Sequence, residues 1–373
     1  MKRERRHRRF GLLPLAAAAA AAISLLLCGC GSEGKSVNGA SAAAGGPEEE
    51  TTYESESEPD QIGIGLSVDS FIIERWVRDR DVFVAAAKDL GAEVNVQDAG
   101  GDVEEQISQI RYLIEKQMDV IVIVARDCDS LAGVIEEAHA AGVKVISYDR
   151  LIYHAGTDLY ISFDNTQVGV LMAEALKEAI PDGGEIFMIQ GSPDDNNIYM
   201  VKEGFDKTLE GSGLEVVYSA ACEGWVAEAA ADYVEEALAQ YPDVKGIMCG
   251  NDDIASQVIS VLAQHQLAGK VIVTGQDGDI SACQRIVEGT QYMTAFKAVE
   301  DEAREAAVYA VKLAKGEKPD ELTETVNDGT YEVPMCVLMP QMVNRENMDD
   351  VIIAGGYHSE EDVYLNVRNS MGK

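Results

Sequence analysis

Basic residues are scarce in this chain: 30 Lys and Arg face 65 Asp and Glu across 373 residues, a formal charge of −35. The first 29 residues hold six of the basic ones and a single acid, so the remainder carries 24 against 64, or −40. Such an acidic surface repels phosphate backbones and anionic lipid headgroups, which argues against nucleic acid as a partner and against electrostatic docking on a bilayer. Catalytic signatures are missing as well. Neither G-x-S-x-G nor H-E-x-x-H occurs, and His139, His154, His265 and His358 share no motif. Cys128, Cys222, Cys249, Cys283 and Cys336 form no C-x-x-C pair and no zinc-finger spacing with histidine. They read as small apolar core residues, and neither a metal nor a cofactor is expected.

The chain begins with a basic stretch, MKRERRHRRF, followed by an apolar run over residues 12–27 and the sequence Leu27-Cys28-Gly29-Cys30. This is the pattern of a lipoprotein signal over residues 1–29, with Cys30 as the acylated residue of the mature protein. A transmembrane reading fits less well, because the apolar core is short for a span and the cysteine would have no role. Gly29, Gly34, Lys35 and Ser36 match a phosphate-binding loop letter for letter. That loop needs a strand before it and a helix after it, and here it lies between a signal core and a polar linker. Residues 30–60, small and polar and then acidic, are too poor in apolar side chains to offset their ordering entropy. They are expected to be a flexible tether with a reach of roughly 30 Å.

From residue 61 onward, apolar runs alternate with amphipathic patterns. Strands are predicted at 62–68, 93–97, 119–124, 143–147 and 159–163. A second series follows at 185–190, 214–218, 245–249, 270–274 and 291–296. Val103, Ile107, Ile110 and Ile114 step along one helical face. Asp102, Asp129 and Asp164 stand where helix N-caps would fall. Strand, helix, strand at 20 to 30 residue intervals implies an α/β fold of parallel sheets with right-handed crossovers. At this length two sheets of about five strands are expected rather than one.

The residues just past the strands carry the functional argument, since ligands of open α/β sheets bind at that edge. They are Asp69; Gln97 and Asp98; Arg126 and Asp127; Tyr148, Asp149 and Arg150; Ser192 to Asn197; Asn251 and Asp252; Gln276 and Asp277; and Lys297. Carboxylates and amides of this kind accept from and donate to vicinal hydroxyls, while arginine and lysine donate to ring oxygens. Trp76 and Trp225 fall near the same edges, and an indole covers the C–H face of a sugar ring. Singly, each aspartate reads as a helix cap and each tryptophan as core, so the argument rests on the set.

These residues sit in segments that resemble a known family. GIGLSVDSFIIERWVRDRDVF, SYDRLI, YISFDNTQVG, IQGSPDDNNIYM, GNDDIA, VTGQDGDI and MTAFKAV occur in that order. Together they resemble the D-xylose-binding proteins of bacterial ABC importers, within the wider group of two-lobed monosaccharide-binding proteins of the type I periplasmic binding protein fold. The resemblance implies two Rossmann-like lobes joined by three hinge segments, near 165–170, 296–299 and 333–337. The first lobe would comprise 61–168 plus 298–335, the second 169–297 plus 336–360, with 361–373 as a tail. It also implies a sugar enclosed by Arg75, Asp149, Arg150, Asp195, Asn197, Asn251, Asp277 and Lys297, with Trp225 stacking on the ring and Trp76 beside it.

The expected function is capture of a monosaccharide, D-xylose foremost, by hinge closure and its delivery to an ABC transporter permease. The expected protein is a monomer outside the cell membrane, held there by its lipid alone. A glycosidase using Asp149 and Asp277 as paired carboxylates is one rival, and a transcriptional repressor with the same core another. A sensor that presents sugar to a membrane receptor is the third.

Overall fold

The computed structural model describes residues 61–319 and 321–367. The predicted signal, Cys30, the tether and residues 368–373 lie outside them. In chain order the first elements are β1 (Ile62–Val68), α1 (Arg75–Asp89), β2 (Ala92–Asp98), α2 (Val103–Glu115), β3 (Val120–Ile123), α3 (Ala132–Ala140), β4 (Lys144–Tyr148) and β5 (Leu159–Phe163). There follow α4 (Asn165–Ala179), β6 (Gly184–Gln190), α5 (Asn197–Leu209), β7 (Leu214–Ala221), α6 (Ala229–Gln240), β8 (Gly246–Cys249), α7 (Asp252–Gln264), β9 (Ile272–Asp277), α8 (Ile280–Glu288) and β10 (Met293–Phe296). The last are α9 (Val299–Ala314), β11 (Glu324–Asn327), β12 (Glu332–Leu338), β13 (Gln341–Asn344) and α10 (Glu360–Val363).

Two sheets result, ordered β11-β12-β5-β4-β3-β1-β2 and β13-β10-β9-β8-β6-β7. All pairings are parallel except β11 with β12 and β10 with β13. The central strands are apolar on both faces because helices cover both: β3 is buried throughout, as are β5, β8 and β10. All ten predicted strands are present, and three more lie at the end of the chain. Those three were illegible for a reason. β11 is exposed and polar, β13 is four residues long, and β12 carries Pro334, whose missing N–H argues against a strand inside a sheet.

The middle one of these strands shifts the expected boundaries. β12 continues to Leu338 in the first sheet, paired with β5 through Phe163. The third crossing between sheets therefore falls at 339–340 rather than 333–337, and residues 336–338 leave the second lobe for the first. The first crossing also comes earlier than 165–170, because α4 already packs on α5, β9 and β10 of the second sheet. The segment 361–373 is no simple tail either: Val363 is buried with Cys283, Ile286, Val343 and Ile352.

Capping explains where several helices begin. Asp102 accepts from the N–H groups of Glu104 and Glu105, and Asp164 from that of Gln167. Asp129 does not cap, since α3 starts three residues beyond it, with Leu131 at its N-cap; Asp127 instead accepts from the Asp129 N–H and the Ser130 hydroxyl. Helices α4 and α5 cross at Gly169 and Gly204. A Cβ at Gly169 would lie 1.9 Å from the Val201 carbonyl oxygen, and one at Gly204 2.0 Å from that of Thr166, so any side chain there would force the pair apart.

The sheets meet along their carboxyl edges. Arg126 donates to Asp194 at 3.2 Å and the Leu151 N–H donates to the Asn196 side-chain oxygen at 3.0 Å. Away from the strand ends, Arg78 on α1 donates to the Tyr357 carbonyl oxygen at 2.7 Å and lies 4.0 Å over the Tyr357 ring. Tyr357 in turn packs against Phe296 of β10 at 4.7 Å. A segment of the second lobe thus clasps the first helix of the first lobe.

Candidate functional site

One cavity between the two edges is lined by Arg75, Trp76, Asp149, Arg150, Asp195, Asn197, Trp225, Asn251, Asp277 and Lys297, together with Ile73 and Gln276. The ten residues expected to enclose or adjoin the sugar are therefore brought to one place, and none of them is more than 7% exposed. Two roomier surface clefts lie near Tyr292 and near Leu322. The much smaller cavity between the sheet edges is distinguished by its chemistry rather than its size.

The first sheet contributes the charges. Arg75 opens α1, where its guanidinium donates to Asp149 at 2.9 Å, to Asp79 at 3.0 Å and to Glu302 at 2.7 Å. Burial opposes its charge, but Asp79, Asp149, Glu302 and Asp277 together hold its pKa well above the ordinary value. Arg150 donates to Asp69 and to the Ala125 carbonyl oxygen, both at 2.8 Å. Its Nε also lies 2.8 Å from Asp195, as a close ion pair without the alignment of a hydrogen bond. Asp149 sits at φ +60°, a conformation that costs on the order of 1–3 kcal/mol for a residue other than glycine. It is held there by Ser162, Tyr160 and Asn197, all donating to its carbonyl oxygen. Burial works to raise the Asp149 pKa, and Arg75, Lys297 and Arg150 outweigh it, so the carboxyl ends below its usual range.

Trp76 is less a free stacking surface than a platform. The Arg75 guanidinium lies 4.3 Å over its ring and that of Arg150 lies 5.5 Å away. Trp225 is placed differently. It closes a short turn at φ +59°, and its indole N–H donates to Asp195 at 3.2 Å. A Cβ at Gly191 would fall 2.1 Å from the indole, so the glycine lets the ring lie against the backbone.

The second sheet contributes amides. Asn251 caps α7, its side-chain oxygen accepting from the Ile254 N–H at 2.9 Å, which leaves its buried NH2 without a protein acceptor. Asn197 donates to Asp149 at 2.8 Å and keeps a buried oxygen unpaired. Asp195 and Asp277 also belong here, and burial raises both pKa values against the pull of Arg150 on Asp195 and of Lys297 and Arg75 on Asp277. Asp277 stands at φ +100° at the end of β9.

Some strand-end residues serve the scaffold. Asp252 accepts from Gly278 N–H, Asp279 N–H, Thr294 and Gln291, tying α7 to β9 and β10. Tyr148 donates to Asp79 at 2.5 Å, behind Arg75. Asp79 and Glu302 escaped the sequence reading. The i,i+4 spacing of Arg75 and Asp79 was a usable signal; Glu302, 227 residues away, offered none. Among the described residues no cluster of three or more Asp, Glu, His or Cys is placed to hold a metal ion.

Three buried cations and three buried aspartates line the cavity, and its unpaired atoms are hydrogen-bonding oxygens and nitrogens beside the buried indole of Trp225. That combination, between the carboxyl edges of two wound sheets, defines a two-lobed protein that encloses a small polar ligand. Residues 64–318 match the family described as periplasmic binding protein domain, and the chain belongs to that family. The D-xylose-binding periplasmic protein of Haemophilus influenzae is 42% identical over 306 residues, covering 81% of this chain and 92% of that protein. The D-xylose-binding periplasmic protein of Escherichia coli is 40% identical over 308 residues, covering 81% and 93%. A solved ABC transporter solute-binding protein from Clostridium phytofermentans, with bound β-D-glucose, superposes with a TM-score of 0.75 at 28% identity, covering 81% of this chain and 99% of that one.

Proposed function

We propose that the protein captures a neutral monosaccharide, D-xylose foremost, between its lobes and delivers it unchanged to the permease of an ABC transporter. The observation that carries this reading is the cavity itself. Three cations face three aspartates in the lining, with Asp69, Asp79 and Glu302 paired to the arginines behind, so no uncompensated cation is left to attract a sugar acid. The unpaired amide atoms and the Trp225 face match the hydroxyls and the C–H face of a pyranose. The two xylose-binding relatives support the pentose. The neighbour with bound glucose favours a second reading, in which a hexose occupies the same site.

Ligand settles first on the wall that is already braced, formed by Arg75, Asp149 and Arg150. The second wall then swings onto it about the three crossings, and closure is driven by the contacts that exist only when both walls touch the sugar. A roughly ten-atom pentose bound at micromolar affinity needs about 0.8 kcal/mol per atom, attainable in a dry, enclosed site. Titration calorimetry against xylose, arabinose, ribose, glucose and galactose tests the reading. Xylose tightest supports it, glucose tightest supports the second reading, and no heat from any of them defeats both. Arg150→Ala and Asp277→Ala should each abolish the heat.

The same reading places the protein outside the cytoplasm, as a monomer anchored through lipid on Cys30. No helix among the described residues is long and apolar enough to cross a membrane. Mass spectrometry of the mature N-terminus tests the anchor, since an unmodified chain beginning elsewhere than Cys30 would remove it. Light scattering tests the monomer.

A further inference from the structure

Gln276 lines the cavity and stands among the strand-end residues, yet neither the family resemblance nor any single motif assigns it a role. It is the penultimate residue of β9, next to Asp277, and consecutive strand residues ordinarily face opposite sides of a sheet. Here both line the same cavity. The break in alternation is the φ of +100° at Asp277, which turns the end of the strand.

The Gln276 side chain is only 5% exposed. Its Nε2 donates to the Gly250 carbonyl oxygen. A carbonyl only accepts, so the amide cannot be turned the other way, and Oε1 is left as a fixed acceptor. That oxygen is buried and has no protein donor. Gly250 is itself fixed, because a Cβ there would lie 2.5 Å from the Gly191 nitrogen, and Gly191 is the residue the Trp225 indole rests on. Gly191 and Gly250 line a small apolar pocket that adjoins the cavity, and Asn197, Trp225 and Gln276 line both.

We propose that Gln276 is a further specificity-determining residue of this site, whose Oε1 accepts a hydrogen bond from one hydroxyl of the bound sugar. This inference rests on the monosaccharide reading given above. Among the amides of the second wall it adds, with Asn197, a second fixed acceptor beside the fixed donor of Asn251, so these amides read the direction as well as the position of the hydroxyls they meet. A site with a buried oxygen awaiting a donor discriminates against an analogue that lacks it, by about tenfold to a hundredfold.

The test is calorimetry of the parent protein and of Gln276→Met with D-xylose and its 2-, 3- and 4-deoxy analogues. Methionine keeps the length of the side chain and removes both amide ends. In the parent, each deoxy analogue carries its own penalty. In Gln276→Met, the penalty for one analogue should shrink to within about threefold of xylose, while the other two keep theirs. If all three penalties survive the substitution, Gln276 does not read the sugar and the inference is overturned. Should the variant fail to fold, a crystal structure of the parent with xylose decides. A hydroxyl oxygen within hydrogen-bonding distance of Oε1 supports the proposal, and the amide turned away from the sugar removes it. A parent that binds none of these sugars defeats the monosaccharide reading itself, whereas xylose binding with unmoved penalties defeats only the role of Gln276.

Discussion

The two walls of the cavity solve the same problem with different chemistry. On the first, Arg75, Asp149 and Arg150 are bound to one another and to Asp69, Asp79 and Glu302 behind them. On the second, Asn197, Asn251 and Gln276 each have one polar group committed to protein and one left over. The carboxyls follow suit: Asp149 is held below its ordinary pKa, while burial raises Asp195 and Asp277. The first wall is therefore a braced ionic frame whose charges are already paired with one another, although Arg150 Nε and one oxygen each of Asp69 and Glu302 lack a hydrogen bond. The second sets Asp195, Asp277 and Lys297 beside amides that are directional and incompletely paired, so it is the wall whose amide hydrogen bonds a sugar would finish. Preorganising one side lowers the ordering cost of binding, and leaving the other unsatisfied concentrates selectivity there.

The largest effect that would break this contrast comes from Arg75→Met. It leaves Asp79, Asp149 and Glu302 buried without their cation, and should cost about 3–5 kcal/mol of stability as well as all detectable sugar binding. Equilibrium denaturation and calorimetry read the two losses, and a stable variant would mean the first wall is not braced as described. Asp277→Asn should separate the two properties. Affinity is expected to fall by about a hundredfold, because an acceptor becomes partly a donor, while the melting midpoint stays close to that of the parent.

Trp225→Leu should weaken binding by about tenfold by removing the flat face while retaining apolar cover. Full affinity in that variant would move the stacking role elsewhere, with Trp76 the next candidate. Arg78→Met sharpens the comparison from outside the cavity. It removes the clasp on Tyr357 without touching the lining residues, and should raise the dissociation rate a few-fold in stopped-flow measurements, with the association rate unchanged.

The smallest effect is in the pH dependence. Burial pushes the Asp252 carboxyl up to about 7 despite Arg285. Its folded pKa lies above the unfolded one, so its contribution to stability is complete below pH ~4 and is lost as pH rises through about 7. Asp149 runs the other way: its lowered pKa contributes above the ordinary carboxylate range and is lost as pH falls through the folded value. The melting midpoint of the parent should decline between pH 5 and 8, and Asp252→Asn should flatten that decline. An unchanged slope would show that Asp252 is ionised throughout.

Much of the site could be read because its residues follow strands. The apolar run of β8 stops at Asn251, that of β10 at Lys297 and that of β4 at Asp149, so a local change from apolar to polar marked each one. Gln276 carried the same mark and stood among the strand-end residues, but the resemblance gave it no role. Glu302 lies on the buried side of α9, where an acid looks like any other first-turn glutamate. The third hinge, placed by resemblance at 333–337, falls at 339–340 because β12 stays paired with β5 through Leu338.

By itself the amino-acid sequence determined the alternation of strands and helices, the two wound sheets and the polar residues at their edges, because each is written in side chains within a few positions of one another. Only the tertiary structure decided which end of each amide is free, which carboxylates brace the arginines, where the last strands cross between sheets and how Tyr357 clasps Arg78. Those features depend on groups dozens to hundreds of residues apart, and on backbone conformations such as φ +100° at Asp277 that packing imposes against local preference.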